Sequence, residues 1–407
     1  MPRLDAEYLR FLARWDRDEN ALRKALSERA GCEVRFTDRA LPEDAGAVFG
    51  LFSRDPLDAV TELADGSRQL PYNPFLAWRA IVEERYLGEV KPPLHARLKL
   101  PYHMVPGALR MALYPLVAGQ ASHGPEDCPP DPAWPIEGRL DAFRAELFGG
   151  LPGGDSPGVG WPEGRRYPLM VTHDVDTKQG MAIAGTVLDE MVALGLKPCF
   201  FLVGHGYTWD AGFVKAVQQA GGEIALHGDL HDNRISFLSP DKAAARLDTC
   251  RGLIDTHGIR GFRAPSLLTS DALYEAGGPR FDWDSSVPDT DTHTLLGPRR
   301  GCGTVFPFRR KGCLVLPLTM PADDRLLLLG YRGLKLVDVL RRKARHVSKL
   351  GGLMHFLTHP EPHLFGKRVL RDLFRAVFTE LLDSGEAWVA TPSMVADHWE
   401  SLTAGSG

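Results

Sequence analysis

The chain has 407 residues, 44% of them hydrophobic and 25% charged, with a formal net charge of −4. This is the make-up of an ordinary soluble globular protein with room for two domains and a large core. A pI near 6.4 provides no global basic field to attract nucleic acid, and no apolar run reaches the length of a membrane span.

The opening stretch "MPRLDAEYLRFLARWDRDEN" carries charges throughout and no apolar h-region, so a secretory signal is not expected. The six cysteines form no CxxC pair. That usage points to reduced thiols and a cytoplasmic setting rather than to a disulfide framework or a zinc ribbon. A helical pattern covers roughly Leu4 to Ala30. "CEVRFTD" and "AGAVFGLF" have the look of strands, and "NPFLAWRAIVEERYL" is an amphipathic helix. The first part therefore reads as a smaller α/β or α+β domain.

"KPPLHARLKLPYHMVPGALRMALYPLVAG" then carries Lys91, Arg97, Lys99 and Arg110, with no acidic residue until Glu126. Peripheral membrane contact or an anionic substrate is one reading of it; packing with snorkelling side chains is the other. Glycine and proline crowd residues 119–165, interrupted by the helical "IEGRLDAFRAELF". This is a linker signature. It divides the chain into residues 1–160 and residues 166–400, with the boundary near Pro162.

Beyond it the pattern becomes regular. Apolar runs occur at "PLMVT", "KPCFFLVG", "EIALH", "IRGFRAP", "FDWDSS", "CLVLPLT", "GLMHFLTH" and "AWVAT", most followed by helical periodicity. Continuous apolar strands alternating with helices predict a parallel sheet buried on both faces. Seven or eight such units over this length predict a (β/α) barrel, distorted and seven-stranded, with an open doubly wound sheet as the alternative.

The reactive side chains collect at the ends of these strands. Asp174 and Asp176 end the first, His227 and His231 the third, Arg263 the fourth and His359 the seventh. Asp282 and Asp284 lie in the fifth, and Asp323 and Asp324 follow the sixth. In a barrel every C-terminal strand end opens on one face, where catalytic groups gather. "HGDLH" spaces its histidines by one helical turn, so both rings can point at one ion. Singly, each group has a plainer explanation as a cap, a turn residue or a structural ion pair. Together, two histidines and a carboxylate suit a metal with open positions. A second carboxylate supplies a base, an arginine favours its charged form, and another histidine supplies an acid.

These motifs resemble the polysaccharide deacetylases, the NodB-homology family of metal-dependent sugar deacetylases (carbohydrate esterase family four). "VTHDVD" resembles its first motif, "CFFLVG" a characteristic strand, and "GGEIALHGDLHDN" the H-x-x-x-H motif. "FRAPS" resembles R-x-P, and "LTHP" the last motif, in matching order over roughly residues 166–400. The resemblance implies Asp174 as general base and Asp176, His227 and His231 as ligands of a divalent metal, zinc by default. It implies that Arg263 orients Asp174 and that His359 protonates the leaving amine. A carboxylate should support His359; Asp284 is the candidate, with Asp282 next. The implied substrate is an N- or O-acetylated sugar of a glycan or of its nucleotide- or lipid-linked precursor. Hydrolysis of a non-sugar amide and carbohydrate binding without turnover are the alternatives.

The chain departs from the family pattern in places. Val175 stands where the second aspartate is usual, which shifts the ligand role to Asp176 as in D-x-D variants. His173 replaces an aromatic, and Ser266 replaces a tyrosine. "LLGPRRGCGTVFPFRRKG" reads as an insertion that covers the site. It has Arg299, Arg300, Arg309 and Arg310 either to bind an anion or to stand as solvated loop charges.

Overall fold

The computed structural model describes residues 2–37, 39, 41, 50–52, 57, 60–87, 92, 135–136, 138–148, 160–291 and 300–404. The basic stretch around Lys91, Arg97, Lys99 and Arg110 lies outside the described residues, as do Arg299 and most of the Gly/Pro-rich segment.

The N-terminal helical pattern is two helices, Pro2–Trp15 and Glu19–Ala30. Asp18 breaks it by turning extended, and its carboxylate accepts from Asn20 N to cap the second helix. Strands β1 (Val34–Phe36), β2 (Thr61–Glu62) and β3 (Arg68–Leu70) form a small mixed sheet in the order β1-β3-β2. Asn73 then caps the helix Pro74–Val82, with proline in its first turn.

The rest is a mostly parallel, curled sheet with helices around it, a (β/α) half-barrel. Its strands are β4 (Tyr167–Val175), β5 (Cys199–Leu202), β6 (Glu223–Leu226), β7 (Gly261–Phe262) and β8 (Trp283–Asp284). After these come β9 (Phe308–Arg310), β10 (Cys313–Val315), β11 (Met354–Thr358) and β12 (Ala387–Val389). The order is β11-β4-β5-β6-β7-β8-β10-β9, and only β9 runs antiparallel. Seven parallel strands therefore make the curved wall. β12 pairs with the first residues of β4, Tyr167–Leu169, before β5 begins on that strand. Each of the eight apolar runs seen in the sequence contains one of these parallel strands.

Between β10 and β11 there is no strand pairing. Irregular chain fills the gap: Met320 N donates to His355 O, His355 N to Thr319 Oγ1, and Leu353 N to Val305 O. All nine residues of β4 are buried, as expected for a parallel strand covered on both faces. Tyr8, Leu9, Leu12 and Ala13 of the first helix pack into the same apolar core as the barrel strands. A second core joins Trp15, Leu22 and Trp78 to Val287, Phe308 and Val315.

Candidate metal centre and acid–base groups

Register aligns the site. Val175, Leu202, Leu226, Phe262 and Asp284 are successive neighbours across β4 to β8. The next residue of each strand, Asp176, Val203, His227, Arg263 and Ser285, forms the lip of the sheet. Thr358 pairs with His173, so His359 sits level with Asp174. Alternation along β4 turns Thr172, Asp174 and Asp176 to one side and His173 to the other.

Asp176, His227 and His231 offer three ligand atoms that lie within 4.8 Å of one another. Asp176 Oδ1 is 3.3 Å from Nε2 of both histidines. The sequence expectation of a helical turn here is corrected, since residues 227–234 form a loop that leaves β6. Gly228 turns that loop with φ +72°, a conformation that favours glycine. The rings converge because of this bend.

A cation fits here on the chemistry of the donors. His227 Nδ1 donates to Arg263 O at 3.0 Å, which leaves Nε2 a bare lone pair facing Asp176. Asp176 Oδ1 is buried and makes no hydrogen bond. An imidazole lone pair and a carboxylate oxygen at this separation are unsatisfied until a positive charge joins them. Burial opposes charge on Asp176, and positive charge at the neighbouring rings, as when His231 and His227 are protonated, holds its carboxyl well below the usual range.

Asp174 lies against both the ligands and the arginine. Its Oδ2 is 3.6 Å from His227 Nε2, and its Oδ1 accepts from Arg263 Nη1 at 2.6 Å. Arg263 is fully buried and used up internally. Its other donors reach Ser285 O, Ser285 Oγ, Thr172 Oγ1 and His355 Nε2, and it lies 3.8 Å over the Phe201 ring. His355 donates from Nδ1 to Pro317 O, which frees Nε2 to accept from Arg263. Burial, with Arg263 next to it, drives the His355 pKa well down, so the ring is neutral and the bond is sustained. Sequence reasoning missed His355, Thr172 and Ser285 as supports for Arg263; only their inward alternation hinted at them.

The carboxylate beside His359 is Asp323, not Asp284. His359 Nδ1 donates to Asp323 Oδ1 at 2.6 Å, and the same aspartate accepts from His359 N and Phe365 N. Burial alone would depress the His359 ring, but the Asp323 carboxylate and its hydrogen bond raise it well above the ordinary imidazole value. Asp323, Asp324 and His359 also cluster closely. Asp324 N takes a further bond to Asp323 Oδ1, so the lone pairs of Asp323 are occupied and the group is an acid–base pair rather than a cage for an ion.

Asp284 is spent elsewhere. Its oxygens accept from Tyr274 Oη, Ser286 N and Ser286 Oγ, and burial pushes its carboxyl up. Alternation on β8 sends Ser285 inward to Arg263 and Asp284 outward to the helix Asp271–Gly277. Asp282 is bound to Arg260 on the surface. His173 faces the outer layer between Phe200 and Phe365 and shares a bond with Thr358 Oγ1; burial lowers its pKa to about 3. Ser266 follows Arg263 and Pro265 at φ +53°, a strained conformation for a serine.

Glu361 ties the two halves of the site together. Its carboxylate accepts from Thr177 N and Thr177 Oγ1, beside Asp176, while its own N–H donates to His359 O. The three described insertion arginines are engaged in ion pairs rather than left free for an anion. Arg300 pairs with Glu84, Arg309 with Glu400 and Arg310 with Asp271.

No family model matches the sequence, and no curated protein matches it. Similar solved structures include one described as a polysaccharide deacetylase from Mycobacterium smegmatis. It is 20% identical over 59% of this chain and 92% of that one, with a TM-score of 0.47. The Puue allantoinase is 16% identical over 61% and 95%, with a TM-score of 0.42. A CE4 family pseudoenzyme from Bacillus anthracis is 17% identical over 56% and 65%, with a TM-score of 0.38. At these values the likenesses bear on neither the activity nor the ligand of this chain. Among the described residues no helix is long and apolar enough to cross a membrane.

Proposed function

We propose that the chain is a divalent-metal-dependent hydrolase that removes an N-acetyl (or O-acetyl) group from a sugar of a glycan or of its precursor. The observation that carries this reading is one lip holding three converging ligand atoms, a carboxylate fixed by arginine, and a histidine raised by a carboxylate. The motif resemblance over residues 166–400 supplies the substrate class.

Asp176, His227 and His231 would hold the metal, zinc by default, which when bound polarises an acyl carbonyl and lowers the pKa of water. Asp174 then accepts the proton of the attacking water. Arg263 keeps its carboxylate aimed, with Oδ1 engaged and Oδ2 turned toward the ligands. His359, protonated because Asp323 raises it, gives its proton to the leaving nitrogen. A neutral amine leaves far more readily than an amide anion, so this proton transfer decides whether the C–N bond breaks.

The test is acetate release by the metal-loaded protein from a panel of N-acetylated sugars. Release should vanish with chelator and return with zinc. Asp174→Asn should lower kcat about 100- to 10,000-fold, the range for a general base. Cleavage of other amides but of no acetylated sugar would move the substrate class. Undiminished turnover by Asp174→Asn would remove the hydrolytic reading altogether.

A further inference from the structure

The two segments that hold the Asp323–His359 pair run on directly into an exposed rim. The short helix Asp323–Leu328 leads into "LGYRGLK", residues 329–335, and His359 leads through its loop into "PHLFGKRV", residues 362–369. The helix Gly333–Leu350 enters β11, and the helix Arg368–Asp383 follows it. Both helices therefore begin at the end of β11 that carries His359.

Leu334 is 76% exposed, Val369 74% and Leu329 45%. Leu230, 40% exposed, lies on the same face, in the loop between His227 and His231. Four of the six large hydrophobic side chains exposed among the described residues thus surround one mouth, which makes chance scatter a poor explanation. The two rim segments also hold Arg332, Lys335, Lys367 and Arg368, all exposed, and no carboxylate. The first acids along the two helices, Asp338 and Asp372, lie about a turn further down, where Asp338 meets Arg341 and Asp372 meets Arg368 and Arg375; Glu361, next to the second segment, is buried and bound to Thr177. Protruding aliphatics beside Arg332, Lys335 and Lys367, which meet no carboxylate among the described residues, are the chemistry of a surface that enters the headgroup layer of an anionic membrane.

We propose that this rim rests on an anionic lipid bilayer and turns the site toward a substrate carried in that bilayer. The docking half stands by itself; the substrate half rests on the hydrolase reading above.

The experiment is co-sedimentation of the full chain with phosphatidylcholine vesicles and with vesicles containing phosphatidylglycerol. Binding is expected with the anionic vesicles and should fall with salt. It should weaken about tenfold or more in Leu334→Ser/Val369→Ser, and likewise in Lys335→Gln/Lys367→Gln/Arg368→Gln. Absence of binding to anionic vesicles, or equal binding by both variants, overturns the docking. So does a concentration-dependent dimer that Leu334→Ser/Val369→Ser abolishes, because the rim then covers a second copy. On a lipid-anchored N-acetyl sugar the variants should be about tenfold slower, with the rate on a soluble fragment unchanged. Equal slowing on both substrates overturns the substrate half. Cleavage of neither by the parent protein removes the hydrolase reading and leaves the docking to the vesicle result.

Discussion

A proton destined for a leaving group must still be on His359 at the working pH. Asp323 arranges this by raising the ring well above the ordinary value. The protonated form is therefore favoured by folding. Its contribution to stability is complete below the unfolded pKa, near 6.5, and is lost as pH rises through the folded one. Activity should fall along the same alkaline limb. Asp323→Asn removes the largest influence that raises the ring, so the alkaline limb of kcat/KM should move to lower pH while metal affinity stays unchanged. An unmoved limb would mean that another group sets it. His173 and His355 carry the opposite sign. Both are buried and depressed, His173 to about 3, so their stabilising effect is present above about 6.5 and is lost as pH falls. Between pH 6.5 and 5 the depressed His173 should cost about 2 kcal/mol of stability, at about 1.4 kcal/mol per pH unit. Denaturant titrations at the two pH values should show a shallower acid loss in His173→Phe, which keeps an aromatic ring between Phe200 and Phe365.

The loop after β6 brings the ligands together, and Gly228 is its pivot. A Cβ there would lie 2.8 Å from Pro265 Cγ, and φ is +72°. Gly228→Ala should therefore spread His227 from His231, weakening zinc binding about tenfold or more and costing about 1–3 kcal/mol of stability. Zinc titration by calorimetry and a thermal melt measure the two effects separately; unchanged affinity would show that the ligands do not depend on this bend. The same loop marks how far the sequence could be read. Continuous apolar runs identified every parallel strand of the barrel, because burial on both faces leaves an unmistakable composition. They missed β9, whose "FRR" holds two arginines and which exists through its hairpin pairing with β10. His227 and His231 were legible as a pair, yet not as a bend, since Pro265 shapes the bend and lies over thirty residues away. Asp284 was mistaken for the partner of His359 because a strand end alone does not tell which face a side chain takes. One residue of phase separates Ser285, which meets Arg263, from Asp284, which meets Tyr274.

Charged pairs with no solvent around them hold the N-terminal segment to the barrel. Glu84 accepts from Arg300 Nε and Nη2, both at 3.0 Å, and from Gly301 N. Asp141 likewise accepts from Arg144, Thr304 Oγ1 and Val305 N. These partners are separated by 216 and by about 160 positions, so a composition break near Pro162 indicates a linker and says nothing of what packs across it. Arg300 also donates to Leu267 O at 2.6 Å, in the turn that follows Arg263. The N-terminal carboxylate is thus two contacts from the arginine that aims Asp174. Arg300 is only 5% exposed, and removing its partner strands a buried guanidinium. Glu84→Ala should therefore cost about 3–5 kcal/mol, the range for breaking a buried pair from one side. Because residues from both ends of the chain share two apolar cores, that loss should appear as one cooperative transition moved to lower temperature. Calorimetry checks it directly: two transitions, of which only the smaller shifts, would mean that the N-terminal segment unfolds by itself and that Glu84 stabilises nothing beyond it.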